Sequence, residues 1–444
     1  MQHAQRGRNN LALDFAAEIA NELRLPLIVF FSAISNYPHA NWRHYHFMQQ
    51  GLLDVAEDLA ERNIAFVVRR PPANAVDAFA AEVGAALLVG DENVMRGPER
   101  WRVALAKKLG IPFLTVDADV VVPTRHYGKA LYGAYVIRPK LYAAMREFLV
   151  PYKNPHVKAS WSAPRGFEAF DLSRDLTEGW GHTGGPAFDR SVGPVESFTG
   201  GAHAAQKRLK HFIASILPKY DTMRNKPEVD GTSRMSPYLH FGNIGPVEIA
   251  LAVESAVAKE PQLKAARDSY FNEVLVWREL SVAFVKYNPH YDTIECAESW
   301  ARQTLAEHAG DARNPQYTLA QLERGETYDD LWNAAQTQMV QSGWMHNYMR
   351  MYWAKKILEW TPDPKRAFNW CLHLNDKYFL DGRDPNGHSG VAWAVAGKHD
   401  RPWFDRPIFG KIRYMSGAST GRKFDSRKYV AQMQELKEPA PGLF

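Results

Sequence analysis

The chain has 444 residues, 45% hydrophobic and 23% charged, with a formal net charge of +5. That is enough for two domains with their own cores, and too balanced to demand a polyanionic partner. Two cysteines, Cys296 and Cys371, exclude a disulfide framework and a cysteine-ligated iron–sulfur cluster. No apolar run reaches membrane-spanning length and the start, MQHAQRGRNNLALDF, lacks a signal-peptide core, so a cytoplasmic monomer away from membranes is expected.

The first 125 residues alternate apolar β-type runs with amphipathic helices. LPLIVFFS leads to a helix through MQQGLLDVAEDLAERN, IAFVVRR to AVDAFAAEVG, AALLVGD to ERWRVALAKKLG, and PFLTVDADVVVP closes the series. This rhythm predicts an α/β domain over residues 1–150, built on a doubly wound, Rossmann-like parallel sheet. The Gly-rich dinucleotide fingerprint is missing, which argues against an NAD site. Residues 151–201, rich in Pro, Gly, Ser and aromatics, read as an interdomain linker. Helical periodicity over 202–444 predicts an all-α second domain.

Several segments of the helical half carry chemistry. DGTSRMSPYLHFGNI presents Thr232, Ser233 and Ser236 beside Pro237, which is placed to open a helix. Hydroxyls and free N–H groups there favour a phosphate, although simple N-capping explains the same residues. FNEVLVWRELSVAFVKYNP sets Glu273, Trp277 and Arg278 in an apolar helix; the carboxylate and ring can address one ligand, while Glu273 and Arg278 also read as a structural ion pair. HLNDKYFLDGRDPNGHSGVAWAVAG gathers Asn375, Asp376, Asp381, Arg383, Asp384 and Asn386 ahead of Trp393, in a spacing unlike a calcium loop. From Lys411 to Lys428 there are six Lys/Arg and one acid, Asp425. Interleaved with Tyr414 and Phe424 and preceded by Trp403, this run suits a nucleic-acid surface or a solvated face.

RMYWAKKILEW places Trp353 and Trp360 seven residues apart. They share a helix face at roughly 10 Å along the axis, too far to stack. With Met351, Ile357 and Leu358 they form, at the simplest, a core stripe.

In order along the chain, SRMSPYLHFG, YNPHYD, WARQTLAEHAGD, LWNAAQ, MHNYMRMYWAKKILEW, LDGRDPNG and FGKIRYM resemble the motifs of class II cyclobutane pyrimidine dimer photolyases, a branch of the photolyase/cryptochrome family. The likeness runs from Tyr220 to Tyr429 and more loosely over the N-terminal half, including QRGRNN. It implies a U-shaped FAD, active as FADH⁻, and light-driven electron transfer that repairs cyclobutane dimers in ultraviolet-damaged DNA. By matching positions, Tyr220, Arg224, Thr232, Ser233, Met235 and Ser236 would hold the FAD phosphates and ribityl chain, with Asn375 by flavin N5 and an Arg350–Asp381 salt bridge beside the ring. Glu273 would bind the dimer, with Trp277, Met351 and Trp393 as pocket walls and Arg401 and Arg413 at the DNA. The class II electron chain maps onto Trp353, Trp332 and Trp360, Trp332 bridging the other two and carrying electrons inward from the surface. An antenna chromophore, of identity the sequence does not give, is possible in the α/β domain.

The family has a strand ahead of QRGRNN, so the first strand is expected to be absent here. His388 stands where a tyrosine is expected and Trp344 where a lysine is; both are expected to tune the pocket rim or DNA contact. The rivals are a cryptochrome photosensor, whose usual C-terminal extension is not seen after the basic segment, a (6-4) photolyase, a dark flavin oxidoreductase and a pure DNA-binding protein.

Overall fold

The computed structural model describes residues 1–179 and 189–437. Its N-terminal part runs α1 (Leu11–Leu23), β1 (Ile28–Ser32), α2 (Trp42–Glu61), β2 (Ala65–Arg69), α3 (Val76–Glu82), β3 (Leu88–Asp91), α4 (Arg96–Lys108), β4 (Phe113–Val116) and α5 (Ala134–Phe148). The Asn10 side chain caps α1, accepting from the N–H groups of Ala12 and Leu13, and Arg24 ends the helix at φ 58°. β1 pairs in parallel with β2, Ile28 opposite Ala65, and β3 with β4, Leu88 opposite Phe113.

Among the described residues these are two separate two-stranded sheets. Ala65 N–H donates to the Leu27 carbonyl and Ala33 N–H to that of Arg69, while Leu88 and Glu92 N–H donate to the carbonyls of Pro112 and Val116. Groups in a parallel ladder alternate sides, so Ile28 and Phe30 of β1, and Leu87 and Val89 next to β4, present their main chains away from the existing partners. A cavity of about 1120 Å³ lies there, lined by Ile28, Phe30, Val89, Leu13, Phe79 and Trp101 among others. The Met1 ammonium donates to the Phe30 carbonyl at 3.0 Å, and the Asp91 carboxylate accepts the N–H groups of Gln2, His3 and Ala4. The first residues thus bridge the half-sheets. Of the apolar run 113–122, only Phe113–Val116 is strand; Val120–Val122 leave the sheet and are buried.

Of the expected linker, the described residues 151–179 and 189–201 are irregular and the rest lies outside the described residues; helices follow. α6 (Ala202–His211) continues into a π-helical turn at Phe212–Ile216, and α7 (Tyr220–Met223), α8 (Ser236–His240) and α9 (Pro246–Lys259) follow. α10 (Lys264–Phe271) passes through a second π turn, Asn272–Trp277, into α11 (Arg278–Tyr287). Then come α12 (Ser299–Glu307), α13 (Leu319–Arg324), α14 (Asp330–Ser342), α15 (Asn347–Trp360), α16 (Pro364–Tyr378), α17 (Pro385–Ala396), α18 (Gly417–Gly421) and α19 (Ser426–Lys437). The side chains of Asp329, Asp363 and Asp384 cap α14, α16 and α17, with Pro364 and Pro385 opening the latter two. Among the described residues no helix is long and apolar enough to cross a membrane.

Buried charge joins the two parts. Arg43, in the first turn of α2, donates to the carbonyls of Val340 and Tyr378, both at 2.6 Å, last-turn groups of α14 and α16 with no other partner among the described residues. The Arg6 guanidinium, 1% exposed, donates to the carbonyls of Gly242 and Ala118 at 2.9 Å. Gly242 sits at φ 68°, and a Cβ there would lie 2.1 Å from the His3 carbonyl oxygen, so only glycine admits the N-terminal chain so close. From α11, Glu279 accepts the N–H groups of Val121 and Val122 and the Tyr127 hydroxyl, at 2.8, 3.2 and 2.5 Å.

Burial pushes the Glu279 carboxyl from an ordinary 4.5 up to about 7. Between those values the folded chain holds a proton that the unfolded chain has released, so stability from this group falls as pH rises through the window. The urea midpoint of the wild type is expected to decline across that interval and that of Glu279→Gln to stay flatter; equal declines would assign the effect to another group.

Candidate functional site

The loop before α8 forms a cradle. Arg208 grips Asp230 through both carboxylate oxygens, at 2.8 and 2.7 Å, and donates to the carbonyls of Thr232 and Ser233 at 2.7 and 2.9 Å. Arg234 is left-handed at φ 53° and Met235 right-handed; this alternation turns successive N–H groups to one side, as in anion-binding nests. Among the described residues, the N–H groups of Thr232 to Ser236 donate to no protein acceptor. The site thus fits the phosphate-bearing group expected from sequence, through the loop more than through the five-residue α8.

Beyond it, Tyr220 packs edge-on to Phe212 and Tyr270, with centroids at 5.8 and 5.5 Å, and the Arg224 guanidinium stands 5.9 Å from its ring. Burial, then the Glu273 charge, raises the Tyr220 hydroxyl above its ordinary value. The Glu273–Arg278 ion-pair reading is corrected: Glu273 pairs with Arg224 at 3.0 Å, whereas Arg278 is buried and donates to the Asp119 carbonyl at 3.3 Å. Five positions apart on the chain, the two side chains lie outside the three- or four-residue spacing that makes neighbours on a helix, so local geometry does not hold them together.

At the other side, Arg350 and Asp381 form a two-pronged ion pair at 3.0 and 2.9 Å, with the guanidinium 3.9 Å from the Phe379 ring centroid. Asn375 is buried and its amide donates to Asp376 at 2.8 Å, leaving its carbonyl oxygen without a hydrogen bond among the described residues. A Cβ at Gly387 would meet that amide nitrogen at 2.8 Å, so the start of α17 lies directly against Asn375. Buried and half-free, the amide suits one more polar partner, such as a heteroaromatic ring edge.

The three tryptophans form a continuous row. Trp353 and Trp332 lie nearly parallel, at 6.4 Å and 6°, and Trp332 meets Trp360 at 5.4 Å and 72°. Trp332 Nε1–H donates to the Trp353 carbonyl, and Trp353 Nε1–H to Gln336. The bridging indole comes from α14 and the outer two from α15. Trp360 is only 1% exposed, so the expected surface end of the row is buried, against Tyr317 and the exposed Tyr328 at 5.2 and 5.7 Å.

Glu273 and Trp277 share the second π turn, Met351 is half-buried on α15, and Trp393 stands half-buried on α17. Arg401 and Arg413 are exposed and flank Trp403, at 5.8 and 4.6 Å from its ring, and Arg413 also reaches Trp393 at 5.8 Å. For Trp344 and His388 the DNA-contact alternative is corrected. Trp344 is buried beneath Arg234, 4.9 Å from its ring, and His388 is buried edge-on to Tyr291 at 4.9 Å; neither reaches a surface where DNA could touch it. Sequence reasoning missed Lys355, fully buried on α15. The signal was two lysines inside an otherwise apolar face.

Residues 1–158 match the family described as DNA photolyase, and residues 271–440 the FAD binding domain of DNA photolyase. A deoxyribodipyrimidine photo-lyase of Methanothermobacter thermautotrophicus is 40% identical over 443 residues, covering 99% of this chain and 94% of that protein. That of Potorous tridactylus is 38% identical over 444 residues, covering 99% and 81%. Among solved structures, the Synechocystis cryptochrome superposes with a TM-score of 0.73 at 16% identity, covering 97% of this chain and 87% of that one. A class III photolyase from Agrobacterium tumefaciens gives 0.70 at 19%, covering 97% and 85%. The chain therefore belongs to the photolyase/cryptochrome family, as a close homologue of deoxyribodipyrimidine photo-lyases. Its architecture is that of the family: an N-terminal α/β domain and a C-terminal all-α FAD-binding domain.

A double-mutant cycle with Arg350→Met and Asp381→Asn, followed by urea denaturation, is expected to give a coupling energy of about 1–3 kcal/mol. Additive effects would show that the pair contributes nothing to stability.

Proposed function

We propose that the chain is a class II deoxyribodipyrimidine photolyase that repairs cyclobutane pyrimidine dimers in DNA under light. What carries the reading is likeness along the whole chain, 40% identity over 443 residues to a protein of that name; the class II motifs and the buried indole row support it. Reduced FAD would supply the photoexcited electron that opens the cyclobutane ring and would accept it back afterwards.

The chain's own residues do the rest. Tyr220, Arg224, Thr232, Ser233, Met235 and Ser236 hold the phosphates and ribityl chain, and Asn375 and the Arg350–Asp381 pair border the ring. Glu273, in reach of Arg224 at 3.0 Å, presents its second oxygen to the dimer. Trp277, Met351 and Trp393 replace the stacking lost when the dimer leaves the duplex, an extrusion made cheaper by its distorted stacking. Arg401 and Arg413 bind phosphates on either side, so binding should weaken steeply with salt and depend little on sequence. Trp353, Trp332 and Trp360 would form the path by which electrons reach the cofactor site.

Chemically reduced protein, given a single-stranded oligonucleotide with one thymine dimer, is expected to restore both thymines in light and not in darkness, as read by chromatography. Bound FAD without repair would favour a photosensor instead. Trp360→Phe is expected to slow photoreduction of the oxidised cofactor at least tenfold while sparing repair by pre-reduced protein. Loss of both would reassign Trp360 to structure or substrate.

A further inference from the structure

Lys355 is 0% exposed, yet its ammonium forms no ion pair among the described residues. Nζ donates to the Ala394 carbonyl at 2.8 Å and lies 4.7 Å from the Trp393 ring centroid. The Ala394 carbonyl belongs to the last turn of α17, where no backbone N–H of the described residues reaches it and the helix dipole is negative. Lys355 therefore caps α17 from inside while holding the indole of its penultimate turn by a cation–π contact. Burying a cation without a carboxylate is costly, which marks such a lysine as a candidate for function.

Trp393 has a second cation, Arg413, at 5.8 Å on the outer side of the domain. Two positive groups thus approach one ring, Lys355 shut inside and Arg413 exposed to whatever binds the basic segment. The charged groups that act on Lys355 are Asp400, from the loop after α17, and Arg413; α14 and α16, which also pack on α15, bring none. Burial draws the ammonium down to about 7, with Asp400 opposing and Arg413 reinforcing.

We propose that Lys355 is a positioning residue for the Trp393 wall and takes up a proton when a phosphodiester chain engages Arg413. The phosphate charge cancels the repulsion that Arg413 exerts, so the proton from solvent binds Lys355 Nζ, the cation–π and capping contacts tighten, and Trp393 is fixed in place. No bond other than this N–H forms. This rests on the repair reading only in giving the wall a dimer to stack against; the coupling itself needs any polyanion of suitable length.

The test is isothermal titration of the full-length protein in the dark, with the dimer-bearing oligonucleotide and its undamaged twin, in two buffers of different ionisation heat. Because the bound state holds the extra proton, affinity should be flat below about pH 7 and fall, by up to about tenfold per pH unit, above it. The wild type is expected to take up a sizeable fraction of a proton. Lys355→Met should take up less and lose the slope, and Lys355→Arg, permanently charged, should keep the affinity but lose the uptake. Arg413→Gln, at an exposed position that does not threaten folding, should also reduce uptake. Unchanged uptake in Lys355→Met or in Arg413→Gln overturns the proposal. A wild type that does not prefer the dimer sinks the repair reading alone, and uptake on the undamaged strand then decides this one.

Discussion

Carbonyl groups at buried helix ends must find donors, and in this chain guanidinium groups from the other domain supply them. Arg43 does so for α14 and α16 together, through Val340 and Tyr378, with Asn41 adding a donation to Lys377 at 2.8 Å. Those two helices carry Trp332 and Asn375. The spacing between the indole row and the candidate ring site is therefore fixed from the α/β side, by the first turn of α2. Arg6 likewise donates to the main-chain carbonyls of Ala118 and Gly242, and Glu279 does the reverse, accepting the N–H groups of Val121 and Val122. None of these contacts is at the chemistry, yet each sets where an element of it stands.

Much of this was legible in the sequence, and the failures have physical reasons. The βαβ rhythm located all four strands, because alternating apolar runs and amphipathic helices report burial directly. The early end of β4 escaped notice because Val120 to Val122 are as apolar as a strand; Asp117 and Asp119, both held by hydrogen bonds or ion pairs inside the protein, divert the chain. Periodicity alone gave the face shared by Trp353 and Trp360 and also their inability to touch. That Trp332 fills the gap came from resemblance, since it depends on how α14 packs on α15. The Glu273–Arg224 pair joins residues 49 apart, beyond the reach of a local pattern.

Two adjacent lysines of α15 show how one helix serves different surroundings. Its lysines are both buried, but Lys356 has Glu359 at 3.0 Å and stands 5.0 Å from the Trp360 ring, so it is held charged. Lys355, one residue earlier, faces a carbonyl and an indole instead. The helix thus carries a fixed cation beside the outer end of the indole row and an adjustable one beside the Trp393 wall, from adjacent identical residues.

The two π turns have an evolutionary reading. A π turn takes up one extra residue as a local bulge in an α-helix, sparing the helix beyond it the rotation of about 100° that an added residue otherwise imposes. The first, Phe212–Ile216, packs on α10, the helix that leads into the second, through Phe212 and Tyr270, whose centroids are 4.5 Å apart. Losing a single codon in the second turn would swing Glu273 or Trp277 around the helix while leaving the cores on both sides in register. The direction in which this site faces is thus open to change in one genetic step, without rebuilding the domain that holds it.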